Sequence, residues 1–182
     1  MNFNHPDIDS YYNSFLRELM NIEQFTIRTA NDVKIRSVLN TDVYTKATRF
    51  LEGSVKHIIY TSAMIRGDND TLLQELVSRL KSLNNPKFDK IKNIIMTELN
   101  FDIEDGLRCN AFSGNDKTML DEIVNNRHRN VHASEDVSKW YNSNAKDIEN
   151  FKIEFEGMIK ILSYIDGVQF NSTQGSFIRV FP

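Results

Sequence analysis

The stretch TDVYTKATRFLEGSVKHIIYTSAMIRG, residues 41–67, decides the fold class. Val43, Ala47, Phe50, Leu51, Val55, Ile58, Ile59 and Ile65 recur within it at helical spacing, which keeps one face of a long helix apolar. Thr41-Asp42 offers cap-type side chains at its start, and Gly67 can adopt the left-handed conformation that ends a helix. Glu52 and Lys56 stand in the favourable i,i+4 order on another side.

Working outward, the same period recurs on both sides. Tyr12, Phe15, Leu16, Leu19, Ile22 and Phe25 form a stripe that opens after Asp9-Ser10, a pair able to cap. Asp70-Thr71 starts a shorter helix with Leu72, Leu73, Leu76, Leu80 and Leu83, which Asn84-Asn85-Pro86 breaks. Pro86 suits the first turn of a further helix carrying Phe88, Ile91, Ile94, Ile95 and Leu99. Residues 100–114, with Gly106 and Gly114, read as a loop holding about one helical turn. Leu120, Ile123, Val124 and Val131 lead into a basic cluster, and a last long helix over 137–165 turns Ile148, Phe151, Phe155, Met158, Ile159, Leu162 and Ile165 inward. The end, Phe177-Ile178-Arg179-Val180-Phe181-Pro182, is apolar and strand-like and would cover the edge of the core or, as the lesser alternative, meet a partner.

With no internal repeat, linker or low-complexity tract, residues 1–182 read as one all-α domain, an antiparallel helical bundle with a short irregular or strand-like tail. Its 40% hydrophobic and 26% charged residues suit a soluble globular core, and seven glycines and three prolines are too few for the turns of an all-β fold. The net charge of −3 excludes general attraction to nucleic acid, so binding to a polyanion needs a local patch. Cys109 is alone, which rules out an internal disulfide; we expect a buried or half-buried thiol in a reducing compartment. No apolar run approaches the ~18 residues of a membrane span, and the first residues lack a signal-peptide profile, so a cytoplasmic protein without membrane contact is expected.

The local patch is Asn126-Arg127-His128-Arg129-Asn130-Val131-His132. Such a cluster can be a solvated helix end, where basic groups oppose the negative end of the helix dipole. Arg127, however, lies three residues after Val124 and four before Val131, along the apolar stripe, where a guanidinium needs an anion or carboxylate. Metal ligation by His128 and His132 lacks supporting ligands: no cysteine is near, His5 and His57 have no motif around them, and Arg127 and Arg129 would repel the ion. The same groups suit RNA cleavage without metal or other cofactor. A histidine moves protons near neutral pH, and an arginine fork matches phosphate. Arg127 and His132 point roughly 140° apart on an ideal helix and are ~7.5 Å apart in rise, so one copy converges poorly; two copies about a two-fold axis would supply two arginines and two histidines to one cleft.

Arg127-x4-His132 on a late helix of a small all-α domain resembles the R-x4–6-H signature of HEPN domains (higher eukaryotes and prokaryotes nucleotide-binding). Three blocks are similar to the RiboL-PSP-type group of that family. They are Arg49-Phe50-Leu51-Glu52-Gly53-Ser54-Val55-Lys56-His57-Ile58, Leu83-Asn84-Asn85-Pro86-Lys87-Phe88-Asp89-Lys90-Ile91 with its Asn-Pro-x-x-x-Lys-Ile pattern, and Val124-Asn125-Asn126-Arg127-His128 followed by His132. The similarity spans about 41–165. Ala133 stands where the family usually has glycine, and His128 where asparagine commonly follows the arginine.

The resemblance implies a metal-independent endoribonuclease, active as a homodimer and leaving a 2′,3′-cyclic phosphate, of the kind found in toxin–antitoxin and phage-defence systems. By position it makes His132 the proton-transfer residue and Arg127 the phosphate clamp. Asn126, His128, Arg129 and Asn130 would support these or touch RNA, and Glu52 would anchor Arg127 or serve as a surface partner of Lys56. An antitoxin or regulatory protein is an implied partner. The alternative is a HEPN module that binds nucleotide or protein without catalysis.

Overall fold

The apolar stripes become contact faces in the computed structural model, which describes residues 3–28, 33–132 and 148–180, with the side chains of residues 33, 34, 37 and 128–132 outside that description. Among the described residues the order is α1 (Pro6–Arg28), α2 (Val33–Arg66), α3 (Asp70–Leu80), α4 (Phe88–Leu99), α5 (Asp105–Arg108), α6 (Gly114–His132), α7 (Ile148–Asp166), β1 (Val168–Asn171) and β2 (Ser176–Arg179). The fold is all-α but for one two-stranded sheet.

Helix α1 begins at Pro6 rather than after Ser10. Proline suits a first helical turn because its missing N–H has no partner there anyway. Asp9 lies inside the helix and accepts a hydrogen bond from the Phe3 N–H at 3.0 Å. Helix α2 begins eight residues before Thr41. No glycine or proline lies between Pro6 and Gly53, so the cap-type residues at 40–42 have nothing to help them stop a helix. Its end is as read: Gly67 takes φ +94° and donates its N–H to the Met64 carbonyl, and the Asp68 N–H donates to that of Ala63. Ile65, expected inward, is 68% exposed, while the next residue, Arg66, donates to the Glu98 carbonyl of α4 at 2.8 Å.

Helix α3 is capped by Asn69, whose side chain accepts from the Leu72 N–H at 3.0 Å. Helix α4 starts at Phe88, with Pro86 buried in the turn before it; the Phe88 N–H is satisfied by Asp121 Oδ1 of α6 at 2.8 Å. Residues 100–113 form the expected loop with one turn, α5. Gly106 is required there, since a Cβ would meet the Phe112 ring at 2.1 Å. Cys109 departs from expectation: it sits exposed at the end of α5, a single turn too short to bury both its sides.

Helix α2 packs against α1, α3, α4, α6, α7 and β1, and α6 lies on α7 and α2. Aromatic rings of Phe15, Phe50, Phe151 and Phe155 fill the space between α1, α2 and α7. In α7 the expected inward residues are buried, and the portion expected over 137–147 lies outside the described residues. The apolar tail is the second strand of a hairpin that turns at Gly175, φ +63°, and buries Val168 and Phe177 on the core edge. The start of the chain is tied to this end of the bundle. Buried Asp166 accepts from His5 Nδ1 at 2.7 Å and from the Asn4 N–H, and His5 Nε2 lies 3.1 Å from Thr61 Oγ1.

The start of α6 carries the strongest local signal. Ser113 donates its N–H and hydroxyl to Asp116 Oδ2, each at 2.7 Å, while the Asp116 N–H returns a bond to Ser113 Oγ at 3.2 Å. Lys160 of α7 adds a bond to Asp116 Oδ1 at 3.1 Å. Burial, the largest influence, pushes this carboxyl up, but the Ser113 bonds and Lys160 together hold it below the ordinary value of 3.8. A carboxyl lowered in the folded state stabilises above its unfolded value and loses that contribution as the pH falls through the folded one. Asp116→Asn should therefore lower Tm by a few degrees at pH 7, the worth of about 1 kcal/mol of capping, and thermal melts should show the gap to wild type closing below about pH 4.

Candidate active site

Leu120, Ile123 and Val124 are buried on α6 and fix how that helix is rotated. The next residues inherit the rotation. Asn126 turns inward and Arg127 falls at the rim, half-buried. This is the edge position that its place along the apolar stripe implied.

Among the described residues the partner of Arg127 is not a carboxylate. Its Nη1 donates to Asn85 Oδ1 at 2.9 Å, and this is the hydrogen bond the described residues supply. Asn85 holds φ +48°, a left-handed conformation that asparagine tolerates better than most residues. Lys90 braces the same turn, donating to the Asn84 carbonyl at 2.7 Å and to Asn84 Oδ1 at 2.8 Å. The Asn-Pro segment and the Arg-x4-His segment, separate in sequence, thus meet at Arg127. Glu52 takes the other of its two expected roles: its Oε1 accepts from Lys56 at 2.6 Å within α2, and no contact joins it to Arg127. A short carboxylate on a neighbouring helix was the residue type to look for; the neutral amide 42 positions away carried no sequence signal of pairing.

Asn126 is 1% exposed, and among the described residues neither its Oδ1 nor its Nδ2 has a hydrogen-bond partner. It therefore cannot touch RNA directly from this position. Leaving a buried amide unpaired costs about 1–3 kcal/mol, and such groups are few in folded proteins. His128, Arg129, Asn130 and His132 share the α6 backbone, which is helical through His132, but their side chains lie outside the described residues, as does Ala133. With the helix regular to that point, the ideal-helix separation of Arg127 and His132 stands.

Among the described residues no three His, Cys, Asp or Glu side chains gather closely enough to hold a metal ion. His5 is engaged with Asp166 and Thr61, and His57 Nε2 lies 3.7 Å from Asp7 Oδ2, so both serve contacts between elements. No helix among the described residues is long and apolar enough to cross a membrane. The chain matches no protein-family model, no curated protein and no solved structure.

The unpaired Asn126 amide makes a direct stability test. Leucine has the same branched skeleton and no polar atoms, and its two methyl groups are bulkier than the amide O and NH2; with that bulk accommodated at the helix end, Asn126→Leu should raise Tm by about 2–8 °C, equivalent to about 1–2 kcal/mol. A lowered Tm would mean that the amide has found partners in solution.

Proposed function

We propose that the chain is a metal-independent endoribonuclease of HEPN type, acting as a homodimer whose two copies of Arg127 and His132 face one RNA phosphodiester. The observation that carries the reading is the Arg127 guanidinium at the rim of α6, steadied by the neutral Asn85 rather than by a carboxylate among the described residues. A neutral partner orients the fork and leaves its charge available to a phosphate.

In this reading Arg127 binds the non-bridging oxygens of the scissile phosphate. One His132 takes the proton from the 2′-hydroxyl as that oxygen attacks phosphorus, and the other protonates the departing 5′-oxygen. The bond from phosphorus to the 5′-oxygen breaks, and the product carries a 2′,3′-cyclic phosphate. No cofactor enters these steps. The helical backbone of α6 through His132 supports two copies, because residues five apart on an ideal helix point about 140° apart. His128, Arg129 and Asn130 follow on the same helix end and would contact RNA, while buried Asn126 would set the shape of that end. A polar residue kept at a core position against its stability cost is typical of functional sites.

A toxin–antitoxin or phage-defence setting in the cytoplasm, with an antitoxin or regulatory partner, goes with this reading. The second reading is a non-catalytic module that binds nucleotide or protein. The net charge of −3 favours it, since that charge weakens RNA attraction outside the 127–132 patch.

Cleavage of single-stranded RNA in excess chelator separates the possibilities. The wild-type chain should cut, His132→Ala should lose about 10²–10⁴-fold in rate, and Arg127→Ala should lose a comparable factor, with dimer and Tm unchanged. Undiminished cutting by His132→Ala would remove the mechanism. Cutting that stops with chelator would restore the metal alternative, and no cutting alongside tight nucleotide binding would favour the module.

A further inference from the structure

Helices α1 and α2 run antiparallel, and two ion pairs set their register. Lys46 Nζ lies 3.0 Å from Glu18 Oε2, and His57 Nε2 lies 3.7 Å from Asp7 Oδ2. The pairs are eleven residues apart on each helix, or about 16 Å at ~1.5 Å of rise per residue. Between them the helices part around a groove of about 500 Å³, within the range of small-molecule sites.

The cause of the groove is legible in the register. Four residues after Asp7 comes Tyr11, and four residues before His57 comes Gly53, so a large ring stands opposite a residue with no side chain. A Cβ built on Gly53 would meet nothing within 4 Å. Phe15 and Phe50 line the groove with rings parallel to within 1°, and Tyr11 lies at its lip, 70% exposed.

Arg49 also lines this space, one turn from Lys46 and about two turns from His57. It is exposed, and among the described residues no hydrogen bond or ion pair engages it, whereas Lys46 and His57 at the two ends each face a carboxylate. The lining of the groove therefore combines aromatic surface with one planar cation that no described residue pairs. Flat rings favour a flat ligand, and the guanidinium fork favours a carboxylate or phosphate.

We propose that the groove between α1 and α2 binds a small planar aromatic anion, with Arg49 taking its carboxylate or phosphate and the bare face at Gly53 admitting its ring. Neither Asn126 nor Arg127 lines this groove, so the site is separate from the one proposed for RNA. The 500 Å³ volume and the ion pairs at both ends favour a small molecule over a peptide helix.

Isothermal titration of the full chain tests this with two probes, indole-3-carboxylate and adenosine 5′-monophosphate, each paired with an uncharged counterpart, indole-3-carboxamide and adenosine. At least one anion should bind at least tenfold tighter than its counterpart, and which of the two does so identifies the head group. Arg49→Gln should weaken it at least tenfold. Gly53→Leu should abolish binding while keeping or raising Tm, because the side chain enters open space and improves helix propensity. The proposal is overturned if neither anion binds, if the uncharged counterparts bind equally well, or if Gly53→Leu leaves binding intact. It is also overturned if Arg127→Ala abolishes binding and Arg49→Gln does not.

Discussion

The burial of one face of α6 against α2 and α7 is the constraint on which the rest depends. Leu120, Ile123 and Val124 are out of solvent, and each contributes about 1.5–3 kcal/mol when fully buried. Their sum exceeds the ~1–3 kcal/mol cost of leaving the Asn126 amide unpaired. The hydrophobic face therefore decides the rotation of the helix and forces Asn126 inside. The same rotation brings Arg127 to the rim, where a long charged side chain can bury its stem and keep its head at the surface. Asp116 sets the start of this helix through Ser113 and Lys160, so the position of Arg127 is governed from both ends of the element that carries it.

Much of the fold was legible because a helix writes its buried face at a fixed period. The stops were legible where a residue type does one physical job, as Gly67 does with its positive φ. Starts were less so: cap-type residues at 40–42 are only permissive, and α2 ran through them. Ile65 obeyed the period but faces solvent, because which side of a helix end is covered depends on distant elements that no local pattern records. Cys109 fell on an isolated turn whose surroundings depend on distant elements.

The candidate site divides in the same way. The rim position of Arg127 followed from its spacing to Val124. Its partner did not, because the bond to Asn85 joins residues that only the packing of α4 and α6 brings together. The sequence offered Glu52 as the expected carboxylate, yet Glu52 satisfies itself within α2 through Lys56. Substituting a neutral amide for that carboxylate changes the electrostatics of the site. A carboxylate would neutralise the guanidinium and weaken its attraction for any anion, whereas Asn85 orients it at little cost in charge.

The most direct measurement uses an RNA cut at a known position, resynthesised with a single 2′-deoxyribose at the nucleotide whose hydroxyl would attack. If Arg127 and His132 act by internal attack of the 2′-oxygen, cutting at that position should vanish in chelator while neighbouring sites persist, and the unmodified RNA should yield a 2′,3′-cyclic phosphate. Undiminished cutting of the deoxy-substituted RNA, or products bearing 3′-hydroxyl and 5′-phosphate ends, would contradict the account.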